Sequence, residues 1–231
     1  MNQAVNLESA ATSEVIAPPF GAGDREAIRR AIALGRVMTY PTETTYALGG
    51  NALSPALVES IYRLKGRDRN KPMLLLVNAR GGLRDWVGGM PAGAEALMER
   101  FWPGPLTLVF PAGPSLPFHL PDARGTVALR WSPHPLVAEL LDIGGAPLIG
   151  TSANLSGQPS LNDAQAVIQA FPAEPLLTID GGVAAGSLPS TVLDVSVRPF
   201  RIVREGVISR DAIRDALGAR FTDLAPAHAV A

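Results

Sequence analysis

Short apolar strand patterns alternate with amphipathic helical patterns along most of the chain, and this alternation constrains the fold more than any other feature. The strand patterns span residues 37–40, 73–77, 106–110, 126–131, 148–151, 176–179, 191–195 and 200–203. The helical patterns span residues 24–34, 55–64, 92–101, 135–141, 163–170 and 211–217. Each apolar face needs a partner layer to cover it, so the pattern predicts an α/β (α+β) fold with a single twisted sheet flanked by helices.

The middle of the chain has no proline-rich or glycine-rich linker, which favours one domain over residues 21–218. Residues 1–20 and 219–231 lack periodicity, and we expect both to be flexible tails. The strands after residue 176 are separated by short connections. We expect these closing strands to pair antiparallel, which would make the sheet mixed.

Composition excludes several classes of site. The chain has 231 residues, of which 47% are hydrophobic, so it can bury a substantial core without disulfides or metals. It contains no cysteine, and its three histidines (His119, His134 and His228) are too scattered for a histidine metal cluster. We therefore expect no thiolate or histidine metal site, and we expect any metal to be held mainly by oxygen ligands or by substrate phosphates. No segment has the pattern of a signal peptide or a membrane span, so we expect a cytoplasmic location and no membrane partner.

The strongest local signal is the basic segment from Arg63 to Lys71, which holds five basic side chains and one acid where a helical pattern ends. The net charge of the chain is only −1, so affinity for an anion must come from such a local cluster. Clustered cations suit a triphosphate, because they neutralise charge on a departing pyrophosphate. A solvated charged loop is the alternative interpretation.

A second segment, residues 147–157, runs from an apolar strand into small hydroxyl and amide residues (PLIGTSANLSG). Ligands often bind at the carboxyl end of a strand, and these groups suit phosphate or carboxylate oxygens. An ordinary turn, in which serine and asparagine bond their own backbone, is one alternative. A nucleophile elbow is another, with Ser152 as nucleophile and His134 as base, although Asn154 replaces the second glycine of G-x-S-x-G.

Hydroxyl-rich and strand-terminal residues form a third group of candidates. Residues 40–50 (YPTETTYALGG) offer threonine hydroxyls and one carboxylate, which suit an amino acid, a ribose or a plain strand-turn-strand corner. Arg130, Ser190 and Arg204 stand at predicted strand ends, where an arginine can clamp a carboxylate or form a surface ion pair. The sequence has no Walker or dinucleotide glycine motif, so an ATP site would need a different cradle.

Seven motifs occur in a characteristic order between about residues 37 and 209: YPTETTYALGG, KGRDRNKPM, FWPGPLTLVF, TVALRWSPHPL, PLIGTSANLSG, PSTVLDVS and RIVREGVIS. Their order and spacing resemble those of the threonylcarbamoyl-AMP synthase (YrdC-like) family. The resemblance implies a twisted mixed sheet flanked by helices around a large open basic cavity. It also implies a short, single-domain member of the family.

The resemblance further implies an activity, in which L-threonine, bicarbonate and ATP, with Mg²⁺, give threonylcarbamoyl-AMP and pyrophosphate. The product would pass to a separate threonylcarbamoyl transferase that forms N6-threonylcarbamoyladenosine in tRNA, so contact with tRNA would be weak or indirect. The residues implied for ATP are Lys65, Arg67, Thr126, Ser152, Asn154, Ser160 and Arg204, of which Lys65 and Arg67 would be catalytic. Those implied for threonine are Thr42, Arg130 and Ser190.

An RNA-binding paralogue of the same fold, without this activity, is the competing hypothesis, and the basic segment motivates it. We also expect Lys65 and Arg67 to be exposed. Replacing either with alanine would then lower turnover by orders of magnitude with little loss of stability.

Overall fold

The computed structural model describes residues 13–68, 72–78, 83–186 and 188–218, which contain ten strands and seven helices. The strands are β1 (Glu14–Ile16), β2 (Met38–Pro41), β3 (Tyr46–Asn51), β4 (Leu74–Leu76), β5 (Leu106–Pro111), β6 (Thr126–Arg130), β7 (Leu148–Ser152), β8 (Leu177–Ile179), β9 (Thr191–Asp194) and β10 (Arg201–Arg204). The helices are α1 (Ala22–Ala33), α2 (Pro55–Lys65), α3 (Leu83–Trp86), α4 (Ala94–Phe101), α5 (Pro135–Gly144), α6 (Ala164–Ala170) and α7 (Arg210–Leu217). Every helix and strand predicted from the sequence is present, with small shifts at the ends.

The ten strands form one mixed sheet in the order β1-β8-β2-β3-β7-β4-β6-β5-β9-β10. The predicted α/β fold around a single mixed sheet is therefore confirmed. The predicted antiparallel pairing of the closing strands holds for β9 with β10, but it is wrong for β8, which pairs parallel with β1 and β2. β8 and β9 lie in opposite halves of the sheet. Residues 180–190, which connect them, can span about 36 Å when extended.

The sheet begins earlier in the chain than the sequence predicted. β1 pairs with β8, Glu14 lying opposite Leu177 and Ile16 opposite Ile179, and Ile16 is buried. The expectation of a flexible tail up to residue 20 is therefore wrong for residues 13–20, because a three-residue strand is too short to show a pattern. The other parts of the expected tails, residues 1–12 and 219–231, lie outside the described residues.

Three apolar clusters attach the helices to the sheet. α1 and α5 pack against β2 and β8 through residues such as Ile28, Ile32 and Leu140. The largest cluster joins α2, α4 and α7 to β4, β5, β6 and β9, and a smaller one holds α6 against β3. Burying one such side chain stabilises the fold by about 1.5–3 kcal/mol, so these clusters fix the strands whose ends carry the candidate site. In the described ranges no helix has the length and apolar character needed to cross a membrane.

Candidate active site

The site is organised around Lys65, the last residue of α2. Ser54 begins this helix by accepting a hydrogen bond from the Leu57 amide at 3.3 Å, and Gly66 ends it in the left-handed region at φ 58°. The helix therefore stops where the Lys65 side chain reaches the loop after β7. Its Nζ donates to three oxygens of that loop: the carbonyl of Ser152, the carbonyl of Asn154 at 2.6 Å and Asn154 Oδ1 at 3.2 Å.

Burial changes the properties of the Lys65 ammonium group. Only 3% of the residue is exposed, so the expectation that Lys65 is exposed is wrong. Desolvation by burial, and then the charge of Arg67, lower the pKa of Lys65 to about 7. The three loop oxygens favour the protonated form and oppose this shift. Lys65 therefore both organises the loop and carries a charge that responds to nearby anions near neutral pH.

The loop after β7 is held by its own polar side chains. Asn154 donates through Nδ2 to the carbonyl oxygens of Leu155, at 2.8 Å, and Gln158, at 2.6 Å. Its Oδ1 accepts from Ser152 Oγ, and the Ser156 amide donates to the Lys65 carbonyl at 3.0 Å. The structure therefore shows the self-bonded turn that was one alternative in the sequence, and the binding of a ligand by this loop stays a prediction.

This geometry does not support the nucleophile-elbow hypothesis. The Ser152 hydroxyl donates to Asn154 Oδ1 and is not bonded to a histidine. His134 precedes α5, where its Nδ1 accepts from the Leu136 amide at 3.3 Å. A serine–histidine dyad requires a direct hydrogen bond between nucleophile and base, and these two residues do not form one among the described contacts.

Arg67 lies just beyond α2 and is partly buried. Its Nη2 donates to the Pro72 carbonyl at 3.0 Å, whereas its Nε is buried without a hydrogen-bond partner in the described part of the chain. Burial lowers the pKa of the guanidinium. An unsatisfied buried donor is costly, so this group is suited to an incoming acceptor such as a phosphate oxygen. The other basic residues of the segment, Arg69 and Lys71, lie outside the described residues.

Arg130, at the end of β6, joins the turn between β2 and β3. Its Nη2 donates to Glu43 Oε2 at 3.2 Å and to Thr44 Oγ1 at 3.4 Å. Burial lowers its pKa, and the Glu43 carboxylate opposes that shift. Because β3, β7 and β4 lie between β2 and β6, a flat sheet would separate the two strands by about 19 Å. The ion pair therefore joins two elements that lie four strands apart in the sheet order.

Arg204 brings a third guanidinium towards the same region. Its Nη2 donates to the Ser190 carbonyl at 2.8 Å and to Ser190 Oγ at 3.2 Å, and this hydroxyl lies 2.9 Å from Thr107 Oγ1. Desolvation lowers the pKa of Arg204, and the charges of Arg130 and Arg67 lower it further. The charges of Arg67 and Arg130, which come from distant parts of the sequence, therefore both act on Arg204, as a site for a polyanion requires.

Thr42 shapes the turn that follows β2. Its Oγ1 donates to the Thr45 carbonyl at 2.7 Å, lies 2.9 Å from Thr44 Oγ1 and accepts from the Thr44 amide at 3.2 Å. These bonds hold the turn that presents Glu43 to Arg130. In this state Thr42 is thus part of the turn, and its predicted contact with threonine stays a prediction.

Thr126 and Ser160 lie further from this constellation in the hydrogen-bond network. The Thr126 amide donates to Asp122 Oδ1 at 2.9 Å, and its hydroxyl accepts from Arg124 at 3.3 Å. Arg124 also pairs with Asp194 at 2.9 Å. Ser160 is half-buried between β7 and α6. The described hydrogen bonds do not join either residue to Lys65, and their predicted roles stay predictions.

A cavity of about 300 Å³ opens beside the β2–β3 turn. Its lining is Pro41, Thr42, Glu43, Pro133, His134, Pro135, Gly181, Val183, Ala184 and Ala185. The sequence-based site included Thr42 but omitted Glu43 and His134. Glu43 was visible as one carboxylate among hydroxyls, but only the fold shows that its partners, Arg130 and Ser132, come from β6 and the loop after it.

The chain is similar in sequence and in structure to known proteins. The sequence model of the Sua5/YciO/YrdC family, described as "Telomere recombination", matches residues 30–206. Threonylcarbamoyl-AMP synthase of Pyrococcus abyssi is 35% identical over 80% of this chain and 54% of its own length. The protein of the same name from Dichelobacter nodosus is 39% identical over 74% of this chain and 90% of its own length. The chain thus spans about half of the first relative and most of the second.

Among solved structures, P. abyssi Sua5 complexed with L-threonine superposes with a TM-score of 0.82 at 32% sequence identity. The superposition covers 89% of this chain and 60% of that one.

Proposed function

The chain belongs to the Sua5/YciO/YrdC family, and from that premise we propose that it is an L-threonylcarbamoyladenylate synthase. In this reaction L-threonine, bicarbonate and ATP give threonylcarbamoyl-AMP and pyrophosphate. Relatives named threonylcarbamoyl-AMP synthase and the L-threonine complex of P. abyssi Sua5 support the proposal.

The contact between Lys65 and the loop after β7 carries the proposal. It joins the basic segment, across nearly ninety residues of sequence, to the backbone carbonyls of Ser152 and Asn154 and to the side-chain oxygen of Asn154. Arg67, beside Lys65, keeps a buried donor unsatisfied. A triphosphate would supply acceptors to this corner, because clustered cations and small polar groups are what phosphate oxygens need.

The chemistry requires positioning and positive charge more than a nucleophilic side chain. A carbamate formed from an amine is short-lived in water, so the amino acid, carbon dioxide equivalent and ATP must be held together. A carbamate oxygen attacks the α-phosphorus, and the bond to the bridging oxygen breaks as pyrophosphate leaves. In this proposal Lys65, Arg67 and Arg204 stabilise the charge that develops on pyrophosphate, while Arg130 binds the carboxylate of threonine.

We propose that Mg²⁺ enters with ATP and is held mainly by phosphate oxygens. Within the described ranges there is no group of three or more His, Cys, Asp or Glu side chains placed to hold a metal ion. The charge-rich corner at Lys65 is cationic, so a divalent ion would need the phosphates as its ligands there. When bound, the ion supplies charge neutralisation along the triphosphate.

We further propose that the product is passed to a separate transferase that modifies an adenosine in tRNA, and that the chain acts in the cytoplasm, where these substrates occur. The net charge of −1 gives no global basic surface for tight tRNA binding. Contact with tRNA would then be weak or made through the transferase.

Pyrophosphate release tests the proposed activity directly. Release should require L-threonine, bicarbonate, ATP and Mg²⁺ together, and mass spectrometry should find threonylcarbamoyl-AMP. Release that is unchanged when threonine is omitted would reject the proposal. The competing RNA-binding hypothesis predicts instead that no pyrophosphate forms and that unmodified tRNA shifts in a gel at physiological salt, with the shift abolished by Lys65→Ala.

A further inference from the structure

Glu43 has an incomplete set of partners. Its Oε2 accepts from Arg130 Nη2 at 3.2 Å and from Ser132 Oγ. Its Oε1 is buried and has no hydrogen-bond partner among the described residues. A buried carboxylate oxygen without a donor is unfavourable, so the arrangement is suited to a ligand that brings one.

The surroundings of Glu43 favour a cationic donor. Glu43 lines the cavity of about 300 Å³, and the other residues that line it are prolines, alanines, a glycine, a valine, Thr42 and His134, with no lysine or arginine. His134 accepts a hydrogen bond on Nδ1, and burial lowers its pKa, so the ring is neutral at pH 7. Arg130 is therefore the one charged partner of Glu43 in its described contacts.

The Glu43–Arg130 pair also has the charge pattern of a receptor for a zwitterion. An α-amino acid carries its ammonium and carboxylate groups on one carbon, so a carboxylate and a guanidinium in direct contact match both charges at once. Arg130 Nε is buried without a partner in the described contacts, as Glu43 Oε1 is. Each member of the pair thus retains an atom that a zwitterion would satisfy.

We propose that Glu43 binds the α-ammonium group of the amino acid substrate and so selects α-amino acids over their deaminated analogues. This inference rests on the proposed function, because it assigns one contact to the threonine of that reaction. Ser132 and the Thr42 turn are positioning groups that hold the carboxylate in place. The cavity beside Glu43 would accommodate the rest of a small amino acid.

Calorimetric titration of L-threonine and of (R)-3-hydroxybutanoate, its deaminated analogue, tests the proposal. Wild-type protein should bind L-threonine at least about tenfold more tightly than the analogue. Glu43→Gln keeps the shape but removes the charge, and it should abolish this preference by weakening L-threonine while leaving the analogue unchanged or tighter. Glu99→Gln, which makes the same charge change at an exposed position on α4, should leave both affinities unchanged.

The outcomes separate this inference from the proposed function. A preference retained in Glu43→Gln would overturn the role of Glu43 while leaving the synthase intact. Equal weakening of both ligands would also overturn it, because a purely structural role affects both. Wild-type protein that binds no L-threonine would instead overturn the proposed function, and the role of Glu43 with it. Unchanged ATP affinity of Glu43→Gln shows that the variant is folded.

Discussion

Lys65 shows how a single residue serves both the fold and the proposed chemistry. Its ammonium group is buried and gives all three of its hydrogen bonds to the loop after β7. A buried charge is costly unless it is paired or hydrogen-bonded, and the loop oxygens meet this need. In turn, the loop oxygens depend on Lys65 as a hydrogen-bond donor. The conformation of the loop and the charge of the proposed phosphate site are thus linked at one side chain.

Lys65→Ala should therefore lower both turnover and stability. Removing the ammonium takes away one hydrogen-bond donor from each of two carbonyl oxygens and from Asn154 Oδ1, which should reduce the free energy of unfolding by about 1–3 kcal/mol. Pyrophosphate release should fall by at least about a hundredfold. Arg63→Ala, an exposed change two residues earlier, is the control and should stay within about 0.5 kcal/mol of wild type. Urea denaturation of Lys65→Ala that matches wild type would contradict the structural role.

The lowered pKa of Lys65 makes ATP binding depend on pH, because binding is coupled to proton uptake. With a pKa of about 7 the free side chain is mostly neutral at pH 8, and nearby phosphates raise the pKa and favour the charged form. Binding at pH 8 should then take up close to one proton at this site, and much less at pH 6, where Lys65 is already protonated. Calorimetry in buffers of different ionisation enthalpy measures this uptake. The same uptake at pH 8 in Lys65→Met would count against Lys65 as its source.

At the scale of elements, a hydrogen bond that passes over Gly49 of β3 connects β2 and β7, the strands on either side of β3. The Tyr40 hydroxyl donates to the Ile149 carbonyl, passing over Gly49 of β3. Burial raises the pKa of Tyr40, which keeps this hydroxyl protonated as a donor. A Cβ at Gly49 would lie far inside van der Waals contact with both groups. The β2–β3 turn and the loop after β7 are therefore held in fixed positions relative to each other.

Gly49→Ala should consequently destabilise the fold severely, by about 3 kcal/mol or more, because it separates β3 from β7 and breaks the tyrosine bridge. Gly23→Ala is the matched control. Gly23 lies in α1 with no atom within 4 Å of an added Cβ, so this change should stabilise the helix by up to about 1 kcal/mol. Thermal unfolding compares the two variants, and a mild effect at Gly49 would show that the bridge can shift at little cost.

The elements differ in how far the sequence predicts them. α2 has a serine cap and a glycine stop, so both of its ends were predictable. β1 and α3 have three and four residues and are too short to show a period. The parallel pairing of β8 depends on where the chain crosses the sheet, which local patterns do not encode.

The candidate site was predictable only where its parts are continuous in sequence. The basic segment and the loop after β7 are each continuous in sequence, and their resemblance to family motifs indicated that they meet. Glu43 was not chosen, because its partners on and after β6 are distant in sequence. The burial of Lys65 was missed because charged residues are usually exposed, and only tertiary packing reverses that expectation.

For the whole molecule, the site depends on charged groups that come from distant parts of the fold. Arg67 follows α2, Arg130 ends β6 and Arg204 ends β10, yet the charges of Arg67 and Arg130 both act on Arg204. The parallel strands at one edge, β1, β8 and β2, support the turn that carries Glu43. The fold therefore gathers groups that no local segment could place together.

The N-terminal edge of the sheet can be tested by truncation. A chain that starts at residue 21 loses β1 and the buried side chain of Ile16, and it exposes the edge of β8. We expect it to be less stable than a chain that starts at residue 13, by about 1–3 kcal/mol. Both chains lack residues 1–12, so the difference in urea midpoint reports on residues 13–20 alone. Equal midpoints would mean that β1 contributes nothing to the sheet.

The most direct measurement is a crystal structure with a non-hydrolysable ATP analogue and L-threonine bound together. We predict that the triphosphate lies within hydrogen-bonding distance of Arg67 and of the loop that Lys65 organises. We also predict that the carboxylate of threonine contacts Arg130, beside Glu43 and close to the α-phosphate. Ligands bound on separate surfaces, or a triphosphate away from the Lys65 loop, would contradict the assignment of this region as one site for both substrates.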